Sequence, residues 1–212
     1  MTKDDAKTIL CFGDSNTWGS IPLNYPHKRY PRSIRWPYAL QALLGDDFEV
    51  ISQGLSARTL VAHDQNKPER TGITHLPALL RTAEPLSLVI IMLGTNDVKS
   101  IYNLTAEDIA NHLGQTIELI QNYQKDLSIL VVCPPAPIPD ETGQINPRMS
   151  RAPKIFSTLP VLYKQITDQY KVHFINSADY IKTSVKDGIH LEPEDHLKLA
   201  EVFYKVILDL QL

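Results

Sequence analysis

The sequence predicts an α/β fold with a parallel sheet covered by helices on both faces, and three observations carry that reading. Short, β-rich apolar runs recur at Ile9–Phe12, Phe48–Ser52, Leu86–Leu93, Ser128–Cys133 and Val172–Asn176. They run as continuous apolar stretches rather than in strict alternation, which suits strands buried on both sides. Segments of helical spacing lie between them, and this β–α alternation along the chain is the pattern of a parallel sheet. The third observation is size: 212 residues with no internal repeat, low-complexity tract or linker. That length predicts one domain over residues 1–212, large enough to bury a core without disulfide staples.

Taken in order, each strand is followed by something informative. After the first comes an irregular stretch from Gly13 to about Arg32, after the second one from Gly54 to Gly72, and after the fourth one from Pro134 to about Ala152. Loops this long inside a compact domain are usually functional or disordered. All three leave the carboxyl ends of their strands, where open α/β sheets place the ligand crevice, and the shorter Gly94-Thr95-Asn96-Asp97 turn opens at the same rim. Between strands three and four, Ile109, Leu113, Ile117 and Ile120 share a helix face, and Thr105 with Asp108 resembles a capping box with Asp in place of Glu. The last helix shows Leu197, Ala200, Phe203, Ile207 and Leu210 at steps of three and four, with Pro193, Glu194 and Asp195 suited to its first turn.

Composition removes several classes of function. A net charge of −3 and the lack of a basic run argue against a nucleic-acid surface. No segment approaches the roughly 20 apolar residues of a membrane helix, and the start of the chain lacks a signal peptide's long apolar stretch. A cytoplasmic location is expected. A homo-oligomer is left open.

Four short motifs meet at the predicted rim: Gly13-Asp14-Ser15-Asn16, Gly54-Leu55-Ser56, Gly94-Thr95-Asn96-Asp97 and Asp187-Gly188-Ile189-His190. Each alone is weak, but together they supply what acyl transfer needs. A serine hydroxyl is a poor nucleophile until a base takes its proton, and histidine does this near neutral pH. Ser15 sits just past strand one, where a tight turn exposes its hydroxyl. Asp187, three residues before His190, can hold one ring nitrogen while the other faces Ser15. Oxyanion donors belong about 3 Å from the developing charge, and the N–H groups of Ser15 and Gly54 and the amide of Asn96 are the candidates.

With these strings in view, the chain resembles the SGNH-hydrolase family, also called GDSL esterases, in which Ser, Gly, Asn and His lie in four sequence blocks. The likeness spans Gly13 to His190. Within the family the chain is similar to the arylesterase/acyltransferase branch, through Ile9-Leu10-Cys11-Phe12-Gly13-Asp14-Ser15, Gly54-Leu55-Ser56-Ala57-Arg58-Thr59, the run from Leu88 to Asp97, and Asp187-Gly188-Ile189-His190. The resemblance implies a flavodoxin-like three-layer sandwich with a five-stranded parallel sheet. It gives Ser15, Asp187 and His190 the catalytic roles and Ser15, Gly54 and Asn96 the oxyanion hole. One departure is visible: Asn16 stands where the name-giving motif has Leu.

The expected reaction is hydrolysis of small-acyl carboxylic esters through an acyl-enzyme, with water or an alcohol as acceptor and no cofactor. The same triad on a sugar acetate, a thioester or a lysophospholipid is the alternative. A non-catalytic module holding an anion on Gly13–Gly19 is the rival from another class, and it has no use for the His190–Asp187 pair. Trp18, Tyr102, Phe156 and Ile189 are the candidate substrate-binding residues. Together with Ile101, Pro134 and Pro135 they suggest an apolar rim that favours alcohol acceptors. The run Pro134–Pro139 reads as a stiff wall of the site or a rigid connector. Asp14 and Asp97 read as turn-stabilising acceptors. In the stretch His190 to His196, Glu194 and Asp195 read as helix-start acids and His196 as a solvated helix residue, so no metal is expected. In the strand order 2-1-3-4-5, Cys11 and Cys133 are two strand spacings apart, about 9–10 Å, beyond the roughly 7 Å a disulfide spans.

Overall fold

The computed structural model describes residues 3–23, 28–210 and 212. The predicted loop after strand one therefore runs partly outside the described residues, at 24–27. Five strands, β1 (Lys7–Gly13), β2 (Phe48–Gly54), β3 (Leu86–Met92), β4 (Ser128–Cys133) and β5 (His173–Asn176), form one sheet in the order β2-β1-β3-β4-β5. Every neighbouring pair is parallel. The helices are α1 (Ser15–Trp18), α2 (Trp36–Leu44), α3 (Gly72–Thr82), α4 (Ala106–Tyr123), α5 (Ala152–Phe156), α6 (Leu159–Tyr170) and α7 (Pro193–Asp209).

Two apolar layers explain the continuous runs. Side chains alternate across a strand, so Leu10, Phe12, Val89, Ile91 and Val131 point to one face and Ile9, Cys11, Leu88, Ile90 and Val132 to the other. The first set packs with Leu76 and Leu80 of α3, the Ile109–Ile120 stripe of α4, and Leu159 and Tyr163 of α6. The second packs with Trp36 and Leu40 of α2 and Leu199, Phe203 and Ile207 of α7. Trp36 meets Phe203 edge to face at 5.0 Å. Strands with no polar face are what two helical layers demand.

Both cysteines are free and buried, on opposite faces and with β3 between their strands. The Thr105–Asp108 capping box forms in full: the Thr105 hydroxyl accepts from Asp108 N–H and the Asp108 carboxylate from Thr105 N–H. The predicted stripe on α7 holds at Ala200, Phe203 and Ile207, which are buried, and departs from the sequence reading at its start. Leu197 is 40% exposed, while His196 and Leu199 are fully buried. The face His196–Leu199–Ala200–Phe203–Ile207 takes His196, read from the sequence as solvated, out of solvent.

Candidate active site

Loops at the carboxyl ends of β1, β2, β3, β4 and β5 surround a pocket of about 300 Å³, lined by residues that include Ser15, Asn96, Asp187, Ile189 and His190. Ser15 is the first residue of α1, directly after β1. Asp14 caps this single turn, its carboxylate accepting from Asn16 N–H at 2.9 Å, and Gly19 closes it in the left-handed region. The turn lies hard against the end of β2: a Cβ at position 54 would stand 2.2 Å from Trp18 N. Only glycine allows that approach.

The loop before α7 carries the other two groups. His190 Nε2 lies 3.1 Å from Ser15 Oγ, and its Nδ1 lies 2.7 Å from Asp187 Oδ2. With its proton on Nδ1, the ring donates to the carboxylate and leaves Nε2 to accept from the serine hydroxyl. Asp187 also accepts from the N–H groups of Ile189, His190 and Leu23 at 2.9, 3.0 and 3.2 Å. Burial alone would raise this carboxyl. The hydrogen bond and charge of His190, with the two backbone donors of its own loop, outweigh that and hold its pKa down to about 2. The loop is pinned on several sides: Gly188 N–H donates to Ser184 O, Ser184 N–H to His190 O, and Ile138 N–H to Gly188 O. Gly188 has φ +70, and a Cβ there would lie 2.0 Å from Ile138 O.

Residues 11–197 match the GDSL-like lipase/acylhydrolase family. The chain belongs to that family. A carbohydrate acetylesterase from Sinorhizobium meliloti shares 39% identity and a TM-score of 0.88, over 96% of this chain and 99% of that one. An aryl esterase from M. smegmatis shares 35% identity and a TM-score of 0.88 over the same shares of the two chains. A curated relative, an acetylxylan esterase from Xylanibacter ruminicola, is 25% identical over 97% of this chain. The chain spans 44% of that relative's length. Among the described residues no helix is long and apolar enough to cross a membrane, and no three His, Cys, Asp or Glu side chains are grouped to hold a metal.

Beneath the pocket lies a buried polar floor built from Asp14, Arg58, Asn96 and Asp97. Asn96 Nδ2 donates to Asp14 Oδ2 and to Arg58 O, both at 3.1 Å. Both amide hydrogens thus have acceptors, so a ligand oxygen would have to share or displace one. The Arg58 guanidinium donates to Gly13 O at 2.9 Å and to Gln53 O, and sits over the Phe12 ring. Burial lowers its pKa to about 10, against the pull of Asp14. Asp97 is fully buried and accepts from Leu60 N–H. Burial, with the charge of Asp14, pushes Asp97 up to about 7 despite that hydrogen bond.

Of the substrate-binding candidates, only Ile189 lines the pocket. Phe156 is buried in the core against the α4 and α6 side of the sheet, where its ring is worth more than on a wet rim. Trp18 carries the Arg29 guanidinium on its ring at 5.1 Å. Tyr102 stands off the pocket near Asp64 and Asp97, and Ile101 is 73% exposed. Pro134–Pro139 are not lining residues either. That run braces the His190 loop, through Ile138 N–H to Gly188 O and through Ala136 O, which accepts from Thr183 Oγ1. The expected apolar rim is therefore corrected: Ile21, Leu23, Ala57, Met149 and Ile189 are the apolar residues of the lining, and they are interspersed with Lys28, Arg70, Lys99 and Arg148. Asn16, the one departure from the family motif, is buried, and its amide donates to Ile189 O at 3.3 Å, tying the serine turn to the histidine loop. Nothing in its sequence context announced that tether, because its partner lies 173 residues away.

Proposed function

We propose that this chain is a serine esterase in which Ser15 attacks the carbonyl of a small-acyl ester. The observation that carries the reading is the continuous chain Ser15 Oγ–His190–Asp187, at 3.1 and 2.7 Å, opening into a pocket. His190 takes the serine proton as the bond to the carbonyl carbon forms, and Asp187 stabilises the imidazolium without being protonated itself. Ser15 N–H begins a helix and has no partner within it, so it is suited to the oxyanion. Gly54 N–H and the Asn96 amide complete the set. The neighbouring Leu55 N–H donates to Gly13 O, which turns Gly54 N–H away from the β1 ladder. Asn96 contributes by sharing a hydrogen now given to Arg58 O or Asp14. Collapse of the intermediate releases the alkoxide, which His190 protonates. Water or an alcohol then attacks the acyl carbon and gives its proton to His190; the bond to Ser15 Oγ breaks, the serine takes that proton back, and the acid or new ester leaves.

A sugar acetate is the second reading, supported by hydroxyl and amide groups along the pocket from Ser20, Ser56 and Asn146. Both readings share one test. A fluorophosphonate should add once, on Ser15, and Ser15→Ala should lose at least about 10³ in kcat on chromogenic acetates. An adduct on Ser20 or Ser56, or an undiminished Ser15→Ala, would overturn the assignment.

A further inference from the structure

The charges around the pocket are one-sided. Lys28, Arg70, Lys99 and Arg148 come from four different loops and line the same space as Ser15 and His190. Among the described residues Asp187 is the one acid lining it, and His190 already engages that carboxylate. The whole chain carries more acid than base, 24 residues to 21, so this concentration is not background. Among the described residues the side chains of Lys28, Lys99 and Arg148 make no ion pair, and Arg70 has only a loose one with Asp64 at 3.8 Å. The pocket is also partly closed, which strengthens what charge does within it.

Three of the four lie together. Lys99 is held down to about 8, first by burial and then by the positive charges of Arg70 and Arg148, against the pull of Asp14 and Asp97. Those two acids lie in the buried floor, and among the described residues the pocket lining itself offers the three cations no acid but the already engaged Asp187. A protein normally pairs or disperses such groups. An anion seated among them would supply the missing partner, and two guanidinium forks beside an ammonium suit a carboxylate or phosphate.

We propose that the esters this enzyme turns over best carry a fixed negative charge, a carboxylate or a phosphate, seated on Lys99, Arg70 and Arg148 while the carbonyl faces Ser15. This rests on the serine-esterase reading and specifies its substrate class. The apolar residues of the lining take up the body of the substrate, and the three cations orient it. The binding energy is drawn from a group away from the reacting carbon, the kind of remote contact that fixes orientation.

The test compares phenyl acetates differing only at the para position: carboxylate, its neutral methyl ester, phosphate monoester and trimethylammonium. Each kcat/KM is divided by that ester's rate with hydroxide, which removes leaving-group effects. At low salt, at least one of the two anionic esters should exceed the neutral one on the order of tenfold to a hundredfold, the span expected of a charge-assisted hydrogen bond. The carboxylate and phosphate arms tell which anion fits. The cationic ester should be the poorest. The advantage should shrink as salt rises to 0.5 M (about a threefold contraction of the Debye length from 0.05 M), and should fall towards unity in Lys99→Met and in Arg148→Gln. The salt series on the unaltered enzyme keeps the test decisive if either variant misfolds. No anionic advantage in the wild type, or one that neither variant reduces, overturns the proposal. Loss of turnover on all four esters would instead refute the serine-esterase reading beneath it.

Discussion

Two aspartates at the rim of one sheet have opposite characters. Asp187, in the loop before α7, accepts from four donors and is held down to about 2, so it is charged at every ordinary pH. Asp97, in the floor after β3, has one backbone donor beyond its own residue, no exposure and a neighbouring acid, and is pushed up to about 7. Depth alone does not separate them, since burial opposes the charge of both. The difference is the number of donors each finds. A carboxylate meant to steer a histidine is surrounded by N–H groups, whereas one that ties down a turn can stay half-protonated. One substitution, Asp to Asn, should therefore act on different properties at the two sites.

The largest effect is expected for Asp187→Asn. The amide cannot stabilise an imidazolium and presents a donor to His190 Nδ1, favouring the wrong tautomer. A fall in kcat on the order of 10³–10⁴ is expected. The stability cost is smaller. A folded pKa of about 2 against an ordinary 3.8 contributes stability that is full above pH 4 and lost as pH falls towards 2, worth about 2 kcal/mol at neutral pH. Steady-state kinetics and thermal melts at pH 7 would check both. A kcat within tenfold of wild type would mean that Asp187 only braces its loop.

Asp97→Asn should do the reverse. Its folded pKa is raised, so between pH 4 and 7 the folded state keeps a proton that the unfolded chain has lost. Stability from this group is then present in acid and lost as pH rises to about 7, by at most about 4 kcal/mol. The asparagine cannot ionise, so the difference in Tm, variant minus wild type, should grow from pH 5 to pH 8 by up to roughly 10 °C. Its kcat should change less than about tenfold. A constant Tm difference across that range would show Asp97 to be charged in the fold throughout.

The contrast also marks what a sequence can show. The strands and the Ser15, Asp187 and His190 cluster were legible because each depends on local pattern (apolar runs, a strand-end turn, a three-residue spacing), whereas the strand order followed from the family resemblance. The pocket wall was not legible. Phe156 and Tyr102 are near the right loops in sequence, but whether a ring faces a pocket or a core depends on how α5 and the 100–102 turn dock. The four cations come from positions 28, 70, 99 and 148, and no linear window contains two of them. The Asn16–Ile189 tether has the same cause. The start of α7 was misread for a different reason: His196 was assigned to solvent by its type, whereas the face that buries Ala200, Phe203 and Ile207 takes in His196 in place of Leu197.

That histidine sharpens the comparison within one loop and helix. His190 has a carboxylate and a hydroxyl as partners. His196, six residues on, is fully buried, edge-on to Tyr30 at 5.6 Å, and neither ring nitrogen has a hydrogen-bond partner among the described residues. Burial first, then the charges of His190 and Arg35, lower its pKa to about 4. The folded protein therefore holds it neutral while the unfolded chain protonates it near 6.5. Between those values the unfolded state binds the extra proton, so stability is full above pH 6.5 and is lost as pH falls towards 4, by up to about 3 kcal/mol. His196→Leu keeps similar bulk, removes the titration and removes two unsatisfied polar atoms. Relative to wild type, the variant should gain progressively in Tm from pH 7 down to pH 4.5, by roughly 5–10 °C. Its kcat at pH 8 should stay within about twofold, since the ring touches neither Ser15 nor Asp187. A Tm difference that stays constant from pH 7 to pH 4.5 would show that His196 is not the source of the acid-side loss.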